Sequence, residues 1–275
     1  MRDVQELIDR ALVEDVGPGD VTSAALVPPD ARARARIVQK EAGVVAGLRV
    51  AEAVFRRVDP GLRWHAHARA GEWRDEGLVA EVAGIAASIL RGERVALNFL
   101  GRLSGIATLT ARFVREVDGT GARILDTRKT TPGMRALEKQ AVKEGGGENH
   151  RFGLFDALLV KENHIAAAGG VAEATRRALA AARDGMRVEI ECSSLAEVDE
   201  ALAAGAKLLL LDNFSTEELA AAVARVDGRA ELEASGNVSL DTVRAIAETG
   251  VDYISVGALT HSAPALDLSL KLDPL

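Results

Sequence analysis

The chain of 275 residues contains one cysteine, one tyrosine, two tryptophans, six phenylalanines and seven prolines. Cys192 alone can close no internal disulfide, so stability must come from the core, and a reducing compartment suits the chain. No apolar run approaches the ~18 residues that a membrane helix needs. The opening MRDVQELIDRALVED is patterned as a charged amphipathic helix, not as a signal peptide. Positive charge is in deficit, with 34 Lys and Arg against 41 Asp and Glu, a net charge of −7. That balance argues against a nucleic-acid or anionic-membrane surface, since both partners demand a basic face. Phosphate motifs of the common kinds are also missing. Gly145, Gly146 and Gly147 lack the Walker spacing, and no glycine fingerprint opens the first strand–helix unit, so neither ATP-driven nor hydride-transfer chemistry is expected. A cytoplasmic globular protein remains, long enough to bury a sizeable core.

What is present divides the chain in two. Val4, Leu7, Ile8, Ala11 and Leu12 share one helical face over residues 2 to 14, and Gly17 to Gly19 stop that helix. Asp20 to Ser23 reads as a turn or strand start. Arginine alternates with alanine from Ala31 to Val38, the period of a half-exposed strand, and Lys40 to Gly47 suggests a second. A helix over Leu48 to Val58, alternation over Leu62 to Ala68, a hairpin turn near Gly71 and an apolar run from Leu78 to Val82 follow. Ser88 to Val117 is helical, with a break expected at Gly101 and Gly105. His65 and His67 share a strand face without a third ligand, and are read as solvated strand residues. This irregular order indicates an N-terminal α+β sandwich domain over residues 1–105, rejoined by the alternating tail at 264–275.

From Arg123 the beat becomes regular. Apolar runs begin near 123, 157, 187, 207, 231 and 253, with helical stretches over 171–183, 195–204, 216–226 and 239–249. Repeated strand–helix units with right-handed crossovers give a parallel sheet or barrel. Six units fall short of eight, so an incomplete or distorted α/β barrel is expected over 106–263. Ligands bind at the carboxyl ends of such strands. The residues found there are Asp126 to Lys129, Lys161 to His164, Glu191 and Cys192, Asp212 and Asn213, Ser235 to Asn237, and Gly257 to His261. Ser194, Ser215 and Ser239 suit helix capping better than chemistry, and Cys192 suits core filling better than nucleophilic attack.

The stretch from Asp126 to His164 concentrates Arg128, Lys129, Lys139, Lys143, Arg151 and Lys161 with His150 and His164. A cationic cluster on an acidic protein points to a small polyanionic ligand, because Arg grips carboxylate or phosphate in a planar fork and Lys acts as a point charge. Glu191 and Asp212, on consecutive strands, suit Mg²⁺ shared with a ligand phosphate, or a developing positive charge; pairing with nearby Arg or Lys is the structural alternative. The glycine turns after the last two runs suit a phosphate.

Longer motifs carry a resemblance. Asp126 to Gly133 (DTRKTTPG), Gly145 to Leu154 (GGGENHRFGL), Lys161 to His164 (KENH), Leu211 to Asn213, Glu233 to Asn237 (EASGN) and Ile254 to Ser262 (ISVGALTHS) resemble the quinolinate phosphoribosyltransferases, the carboxylating nicotinate-nucleotide pyrophosphorylases. Glu14 and Asp15, Gly19 to Thr22 and Glu93 to Gly105 match as well. The resemblance implies transfer of phosphoribose from phosphoribosyl pyrophosphate to quinolinate, with loss of carbon dioxide and release of pyrophosphate. It places Arg128, His150, Arg151 and Lys161 on quinolinate, with Arg94 from a partner subunit. Lys129, Glu191 and Asp212 would face phosphoribosyl pyrophosphate and Mg²⁺, and Ser235, Gly236, Gly257 and His261 would hold the 5′-phosphate. It also implies a homodimer with shared sites, or a higher oligomer. A molybdenum-transport-associated paralogue, a nicotinate-specific transferase and a non-catalytic barrel that senses a phosphorylated metabolite are the alternatives.

Overall fold

The computed structural model describes residues 2–275, which group by internal contacts into two units: residues up to Leu109 with Pro132–Gly146 and Ala263–Leu275, and Thr110–Thr131 with Gly147–Ser262.

In the first unit, helices α1 (Arg2–Val16) and α2 (Val21–Leu26) precede strand β1 (Arg32–Gln39), the short β2 (Gly43–Val44) and helix α3 (Leu48–Val58). Strands β3 (Arg63–Ala66), β4 (Trp73–Arg74) and β5 (Gly77–Ile85) lead into the long helix α4 (Ala86–Glu116). Alternation in β1 sends Ala33, Ala35 and Ile37 inward and its arginines outward, the pattern of a sheet with one wet face. It pairs antiparallel with β5 and with β12 (Leu268–Pro274), so the tail completes a sheet ordered β12-β1-β5-β3. Helix α3 buries Val50, Ala51, Val54 and Phe55, at roughly 1.5–3 kcal/mol for each large side chain.

Three local expectations change here. Asp20 to Ser23 opens a helix, because the Asp20 carboxylate accepts the Ser23 N–H at 2.9 Å and caps α2. Of Lys40 to Gly47 only Gly43 and Val44 pair, with β4. Helix α4 runs 31 residues without a break at Gly101 or Gly105. Those glycines instead admit the returning chain: a Cβ on Gly105 would lie 1.9 Å from the Pro264 carbonyl oxygen, and Gly101 accepts the Leu266 N–H at 3.0 Å.

Residues Pro132–Gly146, which a linear reading assigns to the barrel, group with the first unit. They hold helix α5 (Arg135–Glu144), whose fully buried Glu138 accepts from Arg102 at 2.9 and 3.2 Å. Lys139 and Lys143 therefore belong to this unit and not to the strand-end cluster.

The second unit is the regular one. Strands β6 (Arg123–Leu125), β7 (Leu158–Val160), β8 (Val188–Cys192), β9 (Leu208–Asp212), β10 (Glu231–Ser235) and β11 (Tyr253–Ser255) match the six apolar runs. They form one parallel sheet in the order β6-β11-β10-β9-β8-β7, and Glu148 adds a single bridge beside Leu125. Among the described residues this is an incomplete barrel with six strands. Helices α6 (Glu162–Ala168), α7 (Val171–Ala181), α8 (Leu195–Ala203), α9 (Thr216–Val226) and α10 (Val243–Glu248) lie between successive strands, and α11 (Ala258–His261) follows the last of them. Ser194 and Ser215 cap α8 and α9 through the N–H groups of Glu197 and Glu218. Ser239 does not cap α10, which begins after Thr242; its own N–H donates to the Thr242 hydroxyl at 3.0 Å. Cys192 is buried, and burial pushes its thiol up to about 12, which suits packing and not nucleophilic chemistry.

Candidate active site

Parallel strands share one carboxyl edge, and at that edge every strand of the sheet sends a residue into one cleft of about 360 Å³. Thr127, Arg128 and Lys129 follow β6, Lys161 follows β7, Glu191 lies on β8, Asp212 on β9, Ser235 on β10 and Ser255 on β11. His150 and Arg151 enter from the segment after the Glu148 bridge. Four cations thus converge with Glu191, Asp212 and Glu233 on a volume that fits a small polyanion.

The segment carrying His150 and Arg151 is pinned by Asp126, which is fully buried. Its carboxylate accepts the His150 N–H at 2.9 Å and the Asn149 side-chain amide at 2.7 Å. Arg151 is partly buried, and its guanidinium is held below the usual range by that burial and then by the charge of Arg128. Two guanidiniums that repel one another in a half-buried site favour an anion of more than one charge. Lys161 Nζ donates to Glu191 Oε2 at 2.8 Å, so part of the structural alternative for Glu191 holds. That pair is open to solvent on the lysine side, 51% against 15% exposed, and a ligand carboxylate can compete for the ammonium. His164 does not reach the cleft lining; its Nδ1 accepts the Lys161 N–H at 2.9 Å and closes the start of α6.

Beyond β9 and β10 the turns interlock. Asn213, at φ 59°, donates its N–H to the Ser235 carbonyl at 2.8 Å and its amide to Asp212 Oδ2 at 2.8 Å. Gly236 has φ +103°, and a Cβ there would lie 2.1 Å from Asn213 Oδ1. Only glycine meets both demands. A Cβ on Gly257 would lie 3.0 Å from the Lys129 side chain and 3.2 Å from His261 Nε2, which brings Gly257, His261 and Lys129 together. Gly236, Gly257 and His261 border the site without lining the cleft itself. Arg94 is exposed on α4 in the first unit and is likewise absent from the cleft lining.

Sequence reading passed over Glu189 and Glu233 as functional groups. The signal was in the register: in Val188–Cys192, Glu189 and Glu191 alternate to the same face, and Glu233 stands beside Leu210 with Ser235 beside Asp212. Glu189 and Glu233 are 3% and 1% exposed, and with His150 they place ligand atoms within 4.8 Å of one another. Burial, and next the charge of Glu189, push the Glu233 carboxyl well above the usual range. A carboxyl raised in the folded state contributes stability that is present below its unfolded value near 4.5 and is lost as pH rises through the folded value. Glu233→Gln should therefore melt at an increasingly higher temperature than the parent as pH is raised from that value. A melting-temperature difference that stays flat or narrows with pH, followed by thermal unfolding, would contradict this.

A strand-end cleft with clustered cations, neighbouring carboxylates and glycine turns defines an α/β-barrel enzyme for phosphorylated, polyanionic substrates. Two family models cover nearly the whole chain: the quinolinate phosphoribosyl transferase N-terminal domain over residues 20–104 and its C-terminal domain over residues 106–271. The chain belongs to the quinolinate phosphoribosyltransferase family. It is 44% identical to the chloroplastic nicotinate-nucleotide pyrophosphorylase [carboxylating] of Oryza sativa subsp. japonica, over 98% of this chain and 78% of that protein. A probable nicotinate-nucleotide pyrophosphorylase [carboxylating] of Bacillus subtilis is 41% identical, over 98% of this chain and 93% of that one. Among solved structures, NadC from Streptococcus pyogenes superposes with a TM-score of 0.95 at 42% identity, covering 99% of this chain and 97% of that one.

Proposed function

We propose that the protein transfers phosphoribose from phosphoribosyl pyrophosphate to quinolinate with decarboxylation, giving nicotinate mononucleotide, pyrophosphate and carbon dioxide. The observation that carries this is the convergence of Arg128, Lys129, Arg151 and Lys161 with Glu191 and Asp212 in one cleft. Quinolinate brings two adjacent carboxylates, and the two arginines with Lys161 give each its own charge-assisted hydrogen bonds. Held so, its ring nitrogen can displace pyrophosphate at the ribose anomeric carbon, while carboxylates nearby stabilise positive charge on the sugar. Lys129, beside Gly257 and His261, lies toward the turns that suit the 5′-phosphate, with Ser235 and Gly236.

Glu191 and Asp212 offer hard oxygen donors on neighbouring strands, which fits Mg²⁺ completed by pyrophosphate oxygens and water. Bound there, the ion would neutralise charge on the departing pyrophosphate. Arg94, which is not among the residues lining the cleft, is assigned to the partner's site in a two-fold homodimer or a higher oligomer built from it. No helix among the described residues is long and apolar enough to cross a membrane; the proposed location is the cytoplasm, with no nucleic-acid or membrane partner.

The test is direct. Incubated with phosphoribosyl pyrophosphate and Mg²⁺, the protein should release pyrophosphate and carbon dioxide with quinolinate. It should use nicotinate worse by roughly two orders of magnitude in kcat/KM, because cations arranged for the second carboxylate are left unpaired. Comparable constants for the two acids would overturn the quinolinate reading, a preference for nicotinate would support the nicotinate-specific alternative, and binding without turnover would support the sensor.

A further inference from the structure

Both ring nitrogens of His150 are already engaged by the protein. Nδ1 accepts the backbone N–H of Arg151 at 2.7 Å. An amide N–H can only donate, so Nδ1 carries no hydrogen and the ring proton sits on Nε2. Nε2 lies 2.8 Å from Glu189 Oε2, to which it donates, and 3.6 Å from Glu233 Oε2. The ring is 13% exposed, and the two carboxylates beyond it are buried among the strands. Neither nitrogen has an N–H left for a ligand, and a metal on Nε2 would have to displace its proton and the Glu189 bond. The main chain of the same residue is tied to Asp126. Arg151 is thereby fixed through its own N–H, the His150 ring and the buried Glu189, whose charge also opposes the loss of the Arg151 charge on burial.

We propose that His150 does not bind quinolinate through its ring but is a positioning residue, held as the Nε2–H tautomer between the Arg151 main chain and Glu189, and that Glu189 places the Arg151 guanidinium through it. This rests on reading the cleft as the quinolinate site, and it separates His150 from the three cations that grip the substrate. The arrangement parallels the outer carboxylates that orient a histidine and set its tautomer elsewhere.

The intact enzyme labelled with ¹⁵N in its histidine rings tests this at neutral pH, with His150 identified by the signals lost in His150→Gln. One bare nitrogen, Nδ1, and one protonated nitrogen, Nε2, are expected both without ligand and saturated with quinolinate. Protonation of both nitrogens, or a proton moved to Nδ1 on binding, would overturn the proposal. Kinetics give a second readout. Glu189→Ala should raise KM for quinolinate by about tenfold or more and leave KM for phosphoribosyl pyrophosphate within about twofold, and Glu189→Gln, which keeps an acceptor for Nε2–H, should recover most of that loss. Equal damage to both KM values, or Gln as harmful as Ala, counts against it. The wild-type spectrum carries the test even if Glu189→Ala does not fold. A parent protein that neither binds nor consumes quinolinate would instead refute the functional reading, whatever its tautomer.

Discussion

Arg128→Lys is expected to lower kcat/KM for quinolinate by more than about tenfold, a penalty of at least ~1.5 kcal/mol in transition-state binding. Lysine keeps the charge, so a site that needed only a positive potential would tolerate it. The geometry argues otherwise. Arg128 follows β6 half-buried, lines the same cleft as Arg151, and by its charge depresses that neighbour's affinity for its proton. A planar fork can match both oxygens of a carboxylate, which a point charge on a flexible stem cannot do. Because the carboxylate is bound in ground and transition states alike, much of the loss should fall on KM for quinolinate, with KM for phosphoribosyl pyrophosphate changed far less. Steady-state kinetics of the purified variant decide it. An enzyme with unchanged constants would mean that Arg128 is a strand-end charge and not a ligand of the substrate.

Arg94→Ala and Lys161→Ala homodimers should each be nearly inactive, yet the two unfolded together and refolded should regain activity. Lys161 belongs to the cleft, and its loss also leaves Glu191 without the ammonium 2.8 Å away. Arg94 is exposed on α4, outside the cleft lining of its own chain. If it acts in the partner's cleft, a mixed dimer holds one intact site and one doubly damaged site. Random reassortment makes about half the dimers mixed, each with one of two sites, so recovery should reach roughly a quarter of the parent activity. Demonstrated heterodimers that stay inactive would remove Arg94 from the shared site and leave the dimer without a functional reason.

Residue order alone determined a good deal of this protein. Period-two alternation of arginine and alanine predicted β1, since one wet face demands it, and the apolar runs predicted all six strands of the parallel sheet, whose residues are mostly buried. Because parallel strands end on one edge, the residues after each run already named Arg128, Lys161, Glu191, Asp212 and Ser235 as neighbours in space. Local signals failed where a distant segment set the meaning. Gly101 and Gly105 looked like a helix break, but they are small because residues 264–266 pass against α4. Lys139 looked like part of the cationic cluster, but α5 buries it in the other unit. Glu189 and Glu233 looked like strand filler, because nothing in a single strand says that two acids forty-four positions apart will meet across a sheet around one histidine. Side-chain spacing along the chain reports only on faces and periods. Which buried charges meet, and which ring nitrogen is left to donate, depends on sheet register and on chain returning from elsewhere, and tertiary structure alone decides these.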